Sequence, residues 1–146
     1  DVVNKTIELG ADIIIGGHPH VLQPVNFYKT SNSKLDSGFV AYSMGNFFSN
    51  QRDRYKDAGI FLTINIKKDF IKNRIDITEV NYLPTWVFKG NTTNGKEYVI
   101  MPSTNISDTT ISLSKSEYEK MNQAFDDTRF IINKYTSNPK LREIRD

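Results

Sequence analysis

A short apolar run that leads into a glycine-rich turn is the feature that most restricts how this chain folds. Residues 1–9 have a helical pattern that Gly10 ends, and the β-branched run 11–15 follows before two consecutive glycines. A continuous apolar run of this length predicts a strand that is buried on both faces. Because a helix followed by a buried strand is typical of an α/β layer, the sequence predicts a mixed α/β fold.

The rest of the chain is predicted to be mostly strands. The candidate strands are residues 25–29, 39–43, 60–66, 74–83, 86–88 and 98–101. The alternation of apolar residues changes phase near Thr78-Glu79, which predicts a β-bulge there. Asn94-Gly95 predicts a hairpin, and the polar, charged segment 51–57 is expected to be an exposed loop.

A long amphipathic helix is predicted near the carboxyl end. Ser114 to Glu117 has the form of a capping box, which begins a helix. Its apolar stripe has helical spacing and is formed by Tyr118, Met121, Phe125, Thr128, Ile132 and Tyr135. The interleaved charges of residues 140–146 are interpreted as the solvated end of a helix. The pattern changes at Pro84, so two parts are predicted, residues 1–83 and a hairpin with its helix at 84–146.

The composition excludes several classes of function. The chain has 146 residues, no cysteine and a net charge of +2. Disulfides, thiolate metal ligands and a cysteine nucleophile are therefore excluded. Nucleic acid is not an expected partner, because no basic cluster is present. No apolar stretch approaches the ~20 residues of a membrane-spanning helix. A signal or anchor, and the rest of a larger α/β unit, are expected upstream of Asp1.

The two histidines of the chain lie two positions apart, at His18 and His20. Alternate residues of an extended segment point to the same side, and Pro19 disfavours the helical region for the residue before it. The turn therefore tends to present both imidazoles together, at the end of a strand where α/β folds place ligand sites. Adjacent imidazoles suit a zinc-like ion. The alternative from the residues alone is a pair of ordinary polar side chains in a loop.

Two segments resemble a known family. Residues 10–24, GADIIIGGHPHVLQP, and residues 41–47, AYSMGNF, are similar in sequence, order and separation to two segments of the CapA capsule synthesis family, also called the poly-γ-glutamate synthesis or PgsA family. The resemblance implies the carboxy-terminal portion of a calcineurin-like metallophosphoesterase fold, an α/β (α+β) layered β-sandwich flanked by helices. The family often continues the second segment with Phe-Asp-Gln, where this chain has Ser49, Asn50 and Gln51.

The resemblance also implies roles for individual residues. His18 and His20 correspond to metal ligands of the family, and Asn46, with Gly45 before it, is expected to contact substrate or to hydrogen-bond a ligand. Gln23 is a weaker candidate for such a hydrogen bond. The other ligands of the family precede this region. The chain is therefore expected to bind divalent metal ions, in a two-metal site, only together with the amino-terminal half of the same protein, and to be inactive alone.

The implied activity is metal-dependent, phosphoesterase-like hydrolysis in capsule (poly-γ-glutamate) biosynthesis. The expected partners are a phosphorylated or acyl substrate, the capsule polymer and other capsule synthesis membrane proteins. The intact protein is expected at the cell surface, outside the cytoplasm and anchored in the membrane. Two alternatives are a non-catalytic scaffold for capsule assembly or export and a polymer-binding module. An unpaired sheet edge could also join two copies of this chain into a dimer.

Overall fold

The computed structural model describes residues 2–30, 32, 34–104 and 111–145. Its elements follow one another in the order α1 Val2–Glu8, β1 Ile13–Ile15, β2 Val25–Tyr28, β3 Gly38–Ala41, β4 Ala58–Asp69, β5 Arg74–Thr92, β6 Gly95–Pro102, α2 Lys115–Asn133 and β7 Leu141–Glu143. The described part of the chain is mixed α/β, mostly strands in two sheets, with two helices. This confirms the predicted fold class. Neither described helix has the length and apolar character needed to cross a membrane.

Three strands form the first sheet, in the order β1-β3-β2. β1 runs parallel to β3, whereas β2 runs antiparallel to it. The carboxyl ends of β1 and β3 therefore lie at the same edge of the sheet, so the segments that follow Ile15 and Ala41 start side by side. The predicted helix stop at Gly10 is confirmed, because Gly10 has a φ of 98° and the N–H groups of Gly10 and Ala11 bond back to the last turn of α1.

The prediction that the apolar run 11–15 is buried on both faces is wrong. Within the described residues β1 pairs only with β3, so it is an edge strand, and Ile15 is 49% exposed. The preceding helix α1 has no buried residue. An apolar run indicates that a strand can be buried, but the cover has to come from other elements of the fold.

β4 and β5 form the long hairpin of the second sheet. Asn65 pairs with Glu79 and Ile66 pairs with Ile77, so Thr78 is the extra residue of a β-bulge. This confirms the bulge that the change of phase predicted. The Thr78 hydroxyl donates to Asn65 O at 3.2 Å, which satisfies a backbone acceptor where the ladder is interrupted.

β5 continues through Pro84, where the sequence predicted two separate strands. Pro84 lies opposite Ile60, whose N–H bonds to Met44 O, and Pro84 O accepts from Ser103 N. In a strand, the amide nitrogen and the carbonyl of one residue point to the same side. The carbonyl of Pro84 bonds to Ser103, just after β6, so the nitrogen of Pro84 also faces that side, at the end of the β5–β6 ladder, which starts at Thr85. The proline therefore removes no ladder hydrogen bond. The same strand crosses the predicted boundary before Pro84, and the division into two parts stays a prediction.

β6 and β7 lie along the other edge of β5. The predicted hairpin at Asn94-Gly95 is confirmed, because β6 begins at Gly95 and pairs antiparallel with β5. β7 runs parallel to β5, with Leu141 opposite Val80. The interpretation of residues 140–146 as a helix end is therefore wrong for the described residues. Their backbone groups pair with β5 instead, for example through Val80 N, which donates to Lys140 O at 2.8 Å.

α2 begins and packs as predicted over most of its length. The capping box of Ser114 and Glu117 is present, and the buried residues of the helix are Met121, Ala124, Phe125, Thr128 and Ile132. The prediction is wrong at both ends of the stripe. Tyr118 is exposed, and Tyr135 is 63% exposed and lies beyond the helix. Periodicity predicts the face of a helix that packs, but not where along that face the packing ends.

Two core clusters connect these elements. The first joins both sheets to the end of α2 and contains Leu22, Val25, Phe39, Ala41, Ile60, Ile77, Val80, Tyr82 and Ile132. The second lies between β5, β6 and the first turns of α2 and contains Ala58, Trp86, Phe88, Met101, Met121, Ala124 and Phe125. The segment after β3 passes between the two sheets, since Met44 bridges to Leu22 and Gly45 bridges to Gly59.

Candidate functional site

The turn after β1 and the segment after β3 are joined by backbone hydrogen bonds. Gly16 N donates to Ala41 O at 2.8 Å, and Met44 N donates to Gly16 O at 3.0 Å. A Cβ at Gly16 would lie 2.9 Å from Tyr42 C and still closer to Tyr42 O, so this approach requires glycine. Parallel pairing and one glycine therefore set the position of the histidine turn, residues 16–20.

The two imidazoles of the histidine turn lie next to each other at the surface. The ring centroids of His18 and His20 are 5.6 Å apart, with an interplanar angle of 79°, and both residues are exposed. His20 N donates to Gly17 O at 3.0 Å, which closes the turn around Pro19. The rings therefore lie close together, edge to face, and both residues are accessible to a ligand.

The side chain of Asn46 is buried behind His20, with 6% of the residue exposed. Its Nδ2 lies 3.0 Å from His20 O, 2.8 Å from Lys56 O and 2.8 Å from Gln51 Oε1. Its Oδ1 lies 3.1 Å from His20 Nδ1. Because oxygens surround Nδ2, the orientation of the amide is fixed, and Oδ1 accepts the proton carried by His20 Nδ1.

This hydrogen bond determines which nitrogen of His20 can bind a cation. A neutral imidazole binds metal through its unprotonated nitrogen, and a hydrogen bond from the other nitrogen orients the ring. Asn46 holds the proton on Nδ1, so the lone pair of His20 is on Nε2. No described residue hydrogen-bonds to the ring of His18, so this part of the chain orients one imidazole of the two.

Backbone packing on both sides of Asn46 explains the glycine before it. Gly45 has a φ of 72°, and a Cβ there would lie 2.6 Å from Ala58 O, which accepts from Asn46 N at 2.9 Å. A Cβ at Gly59 would lie 2.9 Å from Asn46 O. Gly45 and Gly59 therefore allow the segment of Asn46 to lie against the start of β4. The structure gives Gly45 this packing role, and its predicted contact with substrate stays a prediction.

Asn50, which departs from the family pattern, and Gln51, which agrees with it, contact different neighbours. Asn50 Oδ1 accepts from Lys89 Nζ at 2.6 Å and from Tyr98 Oη at 2.9 Å, so Asn50 ties its loop to the β5–β6 hairpin. Gln51 accepts from Asn46 and thus belongs to the group around His20. The structure therefore brings His18, His20, Asn46 and Gln51 together and places Asn50 on the hairpin.

Gln23 is not brought to the imidazoles by a described hydrogen bond. Its backbone N–H donates to Ser43 O at 3.0 Å. Gln23 lines an open pocket of about 330 Å³ with Pro24, Tyr42 and Tyr135. The predicted role of Gln23 as a hydrogen-bonding partner of a ligand stays a prediction.

A buried carboxylate, Asp57, lies at the end of the loop that follows Asn46. The prediction of an exposed loop over residues 51–57 is wrong for Asp57, which is 7% exposed. Its Oδ2 accepts from Trp86 Nε1 at 2.7 Å, and its backbone O accepts from Val87 N at 3.0 Å. Burial raises the pKa of the Asp57 carboxyl, and the hydrogen bond from Trp86 opposes that shift. Nothing in the polar run distinguishes this aspartate from its exposed neighbours, so the sequence alone could not identify it.

The raised pKa of Asp57 makes the stability of the fold depend on pH. The native state holds this proton more strongly than the unfolded chain, so the contribution to stability is present below the unfolded pKa and is lost as the pH rises through the folded pKa. Asp57→Asn keeps an acceptor for Trp86 but does not ionise. Relative to the wild type, its free energy of unfolding is expected to increase as the pH rises above the unfolded aspartate pKa of about 4. Urea unfolding at several pH values measures this, and a difference that stays constant with pH would contradict the raised pKa.

The two imidazoles fit part of a metal site. Histidine nitrogen is a common ligand of zinc and of other divalent transition metals. Within the residues that the structure describes, no group of three or more histidine, cysteine, aspartate or glutamate side chains could hold an ion. Zinc sites in proteins use at least three protein ligands, so His18 and His20 alone would not complete one.

Comparison with known proteins connects the histidine turn to a family. The sequence model of the family described as bacterial capsule synthesis protein PGA_cap matches residues 1–51. Residues 1–51, called here the capsule synthesis segment, are similar in sequence to this family. The capsule synthesis segment thus contains His18, His20, Asn46 and Gln51, which are the residues that the structure brings together. Asp57 and the hairpin lie outside it.

Two curated relatives are similar to parts of this chain. The capsule biosynthesis protein CapA of Bacillus anthracis is 44% identical over 55 residues, which cover 37% of this chain and 12% of that protein. The PGA biosynthesis protein CapA of Bacillus subtilis (strain 168) is 35% identical over 82 residues, which cover 53% of this chain and 20% of that protein. The chain therefore matches only a small part of the length of these curated relatives. No solved structure matched the chain.

Proposed function

We propose that the protein containing this chain acts in capsule biosynthesis as a metal-dependent, phosphoesterase-like hydrolase in which His18 and His20 are metal ligands. The observation that carries this proposal is a pair of exposed imidazoles 5.6 Å apart, one of which is oriented by a buried amide 3.1 Å away. Histidines that bind metal are commonly oriented in this way by a hydrogen bond from their second nitrogen. A calcineurin-like metallophosphoesterase fold and poly-γ-glutamate as the capsule polymer belong to the same proposal.

The remaining parts of the proposed site would come from the amino-terminal half of the same protein. The described residues offer two clustered candidate ligands, and a two-metal site needs more. The names of the relatives support a role in capsule biosynthesis, and such a role fits a location at the cell surface. The capsule polymer, a phosphorylated or acyl substrate, and other capsule synthesis membrane proteins are the partners that this proposal implies.

The contribution of this chain to the reaction is to hold ligands in place before metal binds. Divalent ions at such a site supply a bound water of lowered pKa and neutralise charge on a phosphoryl or acyl oxygen. Asn46 keeps the His20 proton on Nδ1 and leaves the lone pair on Nε2. The close backbone approaches at Gly16 and Gly45 fix the two segments that carry these side chains. A ligand that is already oriented loses less conformational entropy when it binds.

Replacing both imidazoles tests the proposal directly. His18→Ala/His20→Ala in the full-length protein is expected to lower the bound metal, measured by elemental analysis after dialysis, by at least about 10-fold, because an incomplete ligand set binds metal weakly. Hydrolysis of bis(p-nitrophenyl) phosphate is expected to fall in parallel.

Lys29→Ala provides the matched control, since Lys29 is exposed just after β2. Its metal content and hydrolysis are expected to equal those of the wild type. Equal metal content in the double variant and the control would contradict the proposal. Metal binding by the wild type without any hydrolysis would contradict the enzymatic part and support a non-catalytic scaffold.

A further inference from the structure

We infer that the buried pair of Asp57 and Trp86 positions His20, through Asn46, from the side of the second sheet. The inference rests on the proposed function, because it concerns the same imidazole. It assigns a part in the site to residues outside the capsule synthesis segment 1–51. Asp57 is a positioning residue in this account, since it touches neither imidazole by a described contact.

The first step is that the residues on either side of Asp57 both accept hydrogen bonds from Asn46. Lys56 O lies 2.8 Å from Asn46 Nδ2, and Ala58 O accepts from Asn46 N at 2.9 Å. One of these contacts holds the side chain and the other holds the backbone. The direction of both carbonyls depends on the backbone at Asp57, which lies between them in the sequence.

The second step is that Asp57 is fixed to β5 by its side chain and by its backbone. Its Oδ2 accepts from Trp86 Nε1 at 2.7 Å, and its O accepts from Val87 N at 3.0 Å. Trp86 is buried in the second core cluster, next to Phe88. Hydrogen bonds to a carboxylate are stronger than those between neutral groups. The end of the loop that hydrogen-bonds to Asn46 is therefore attached to the second core cluster.

The third step is that packing alone does not require a carboxylate at this position. A buried carboxylate is costly unless its hydrogen bonds compensate the lost hydration, and Asp57 is 7% exposed. An apolar side chain of similar size would fill the same space without that cost. Aspartate adds an acceptor for Trp86. In this account, that hydrogen bond fixes the direction of the Lys56 carbonyl, which accepts from Asn46.

A set of variants separates positioning from folding. Asp57→Leu/Trp86→Phe removes the hydrogen bond but leaves no unpaired polar atom, so this double variant is expected to fold. Asp57→Asn keeps the acceptor and serves as the conservative rescue. Asp53→Asn is the matched control, because Asp53 lies in the same loop with its side chain 78% exposed.

The readout is the tautomer of His20 in the metal-free, full-length protein. Long-range ¹H–¹⁵N spectra of protein labelled at histidine report which ring nitrogen carries the proton. They are recorded at about pH 8, above the usual pKa of free imidazole, and His20→Gln assigns the signals. The wild type, Asp57→Asn and Asp53→Asn are expected to show the proton on Nδ1. Asp57→Leu/Trp86→Phe is expected to show a mixture of both tautomers and to bind Zn²⁺ about 3- to 30-fold more weakly.

The possible outcomes distinguish this inference from the proposed function. A folded double variant with His20 still protonated on Nδ1 would overturn the inference, whatever the histidine variants show. If the double variant does not fold, Trp86→Phe alone is measured in the same way, and an unchanged tautomer again overturns it. A shifted tautomer together with metal content that does not depend on His18 and His20 would support positioning and defeat the metal-site proposal.

Discussion

Gly16→Ala is expected to lower the free energy of unfolding by about 3 kcal/mol. The added Cβ would lie 2.9 Å from Tyr42 C and closer to Tyr42 O, and neither backbone atom can turn away as a side chain can. To relieve the overlap, β1 has to separate from β3. That separation also strains the hydrogen bonds from Gly16 N to Ala41 O and from Met44 N to Gly16 O.

Gly17→Ala is the matched control for this prediction. No heavy atom lies within 4 Å of a Cβ built at Gly17. Its free energy of unfolding is expected to change by no more than about 0.5 kcal/mol. Urea unfolding of the two variants and the wild type measures the difference. Equal losses in both variants would show that the close approach of β1 to the segment after β3 does not exist.

Asn46→Asp is expected to lower the free energy of unfolding by about 3 kcal/mol at pH 7. The substitution keeps the shape of the side chain but replaces the Nδ2 donor with an oxygen. That oxygen would face His20 O at 3.0 Å and Lys56 O at 2.8 Å, and neither backbone carbonyl can become a donor. The residue is buried, so water does not compensate for the lost hydrogen bonds.

The cost of Asn46→Asp is expected to decrease at low pH. A protonated carboxyl can donate to one of the carbonyls, so the folded state raises the pKa of the new aspartate above its unfolded value. The variant is therefore most stable, relative to the wild type, below about pH 4 and loses stability as the pH rises. Asn26→Asp on the exposed side of β2 is the control, and it should lower the free energy of unfolding by no more than about 0.5 kcal/mol at either pH. A similar loss in both variants would indicate that Asn46 is not enclosed by acceptors.

The sequence predicted the histidine turn, residues 16–20, because the features that define it are local. A helix stop, an apolar run and two glycines occupy consecutive positions, so strand, turn and imidazoles follow from adjacency. The bulge at Thr78 and the capping box at Ser114 were predicted for the same reason. The partnership of His20 with Asn46 needed the family resemblance, since it depends on parallel pairing of strands that are separated by β2.

Other features could not be predicted because they depend on distant neighbours. Asp57 is buried by Trp86, 29 positions away in the chain, and its own segment is polar. β1 has the composition of a central strand but is an edge strand within the described residues. Pro84 looks like a strand terminator, yet its nitrogen faces the end of a ladder. In each case tertiary pairing overrides a local preference.

The length of β5 has a consequence for how the molecule opens in solution. This strand of 19 residues contributes Ile77, Val80 and Tyr82 to one core cluster and Trp86 and Phe88 to the other. Amide protons in either cluster exchange with solvent only when local fluctuations expose them, and a fluctuation that frees one cluster disturbs the strand on which the other is built. The two clusters are therefore expected to open as one cooperative unit, and the loop that holds Asn46 is expected to lose its support when that unit opens.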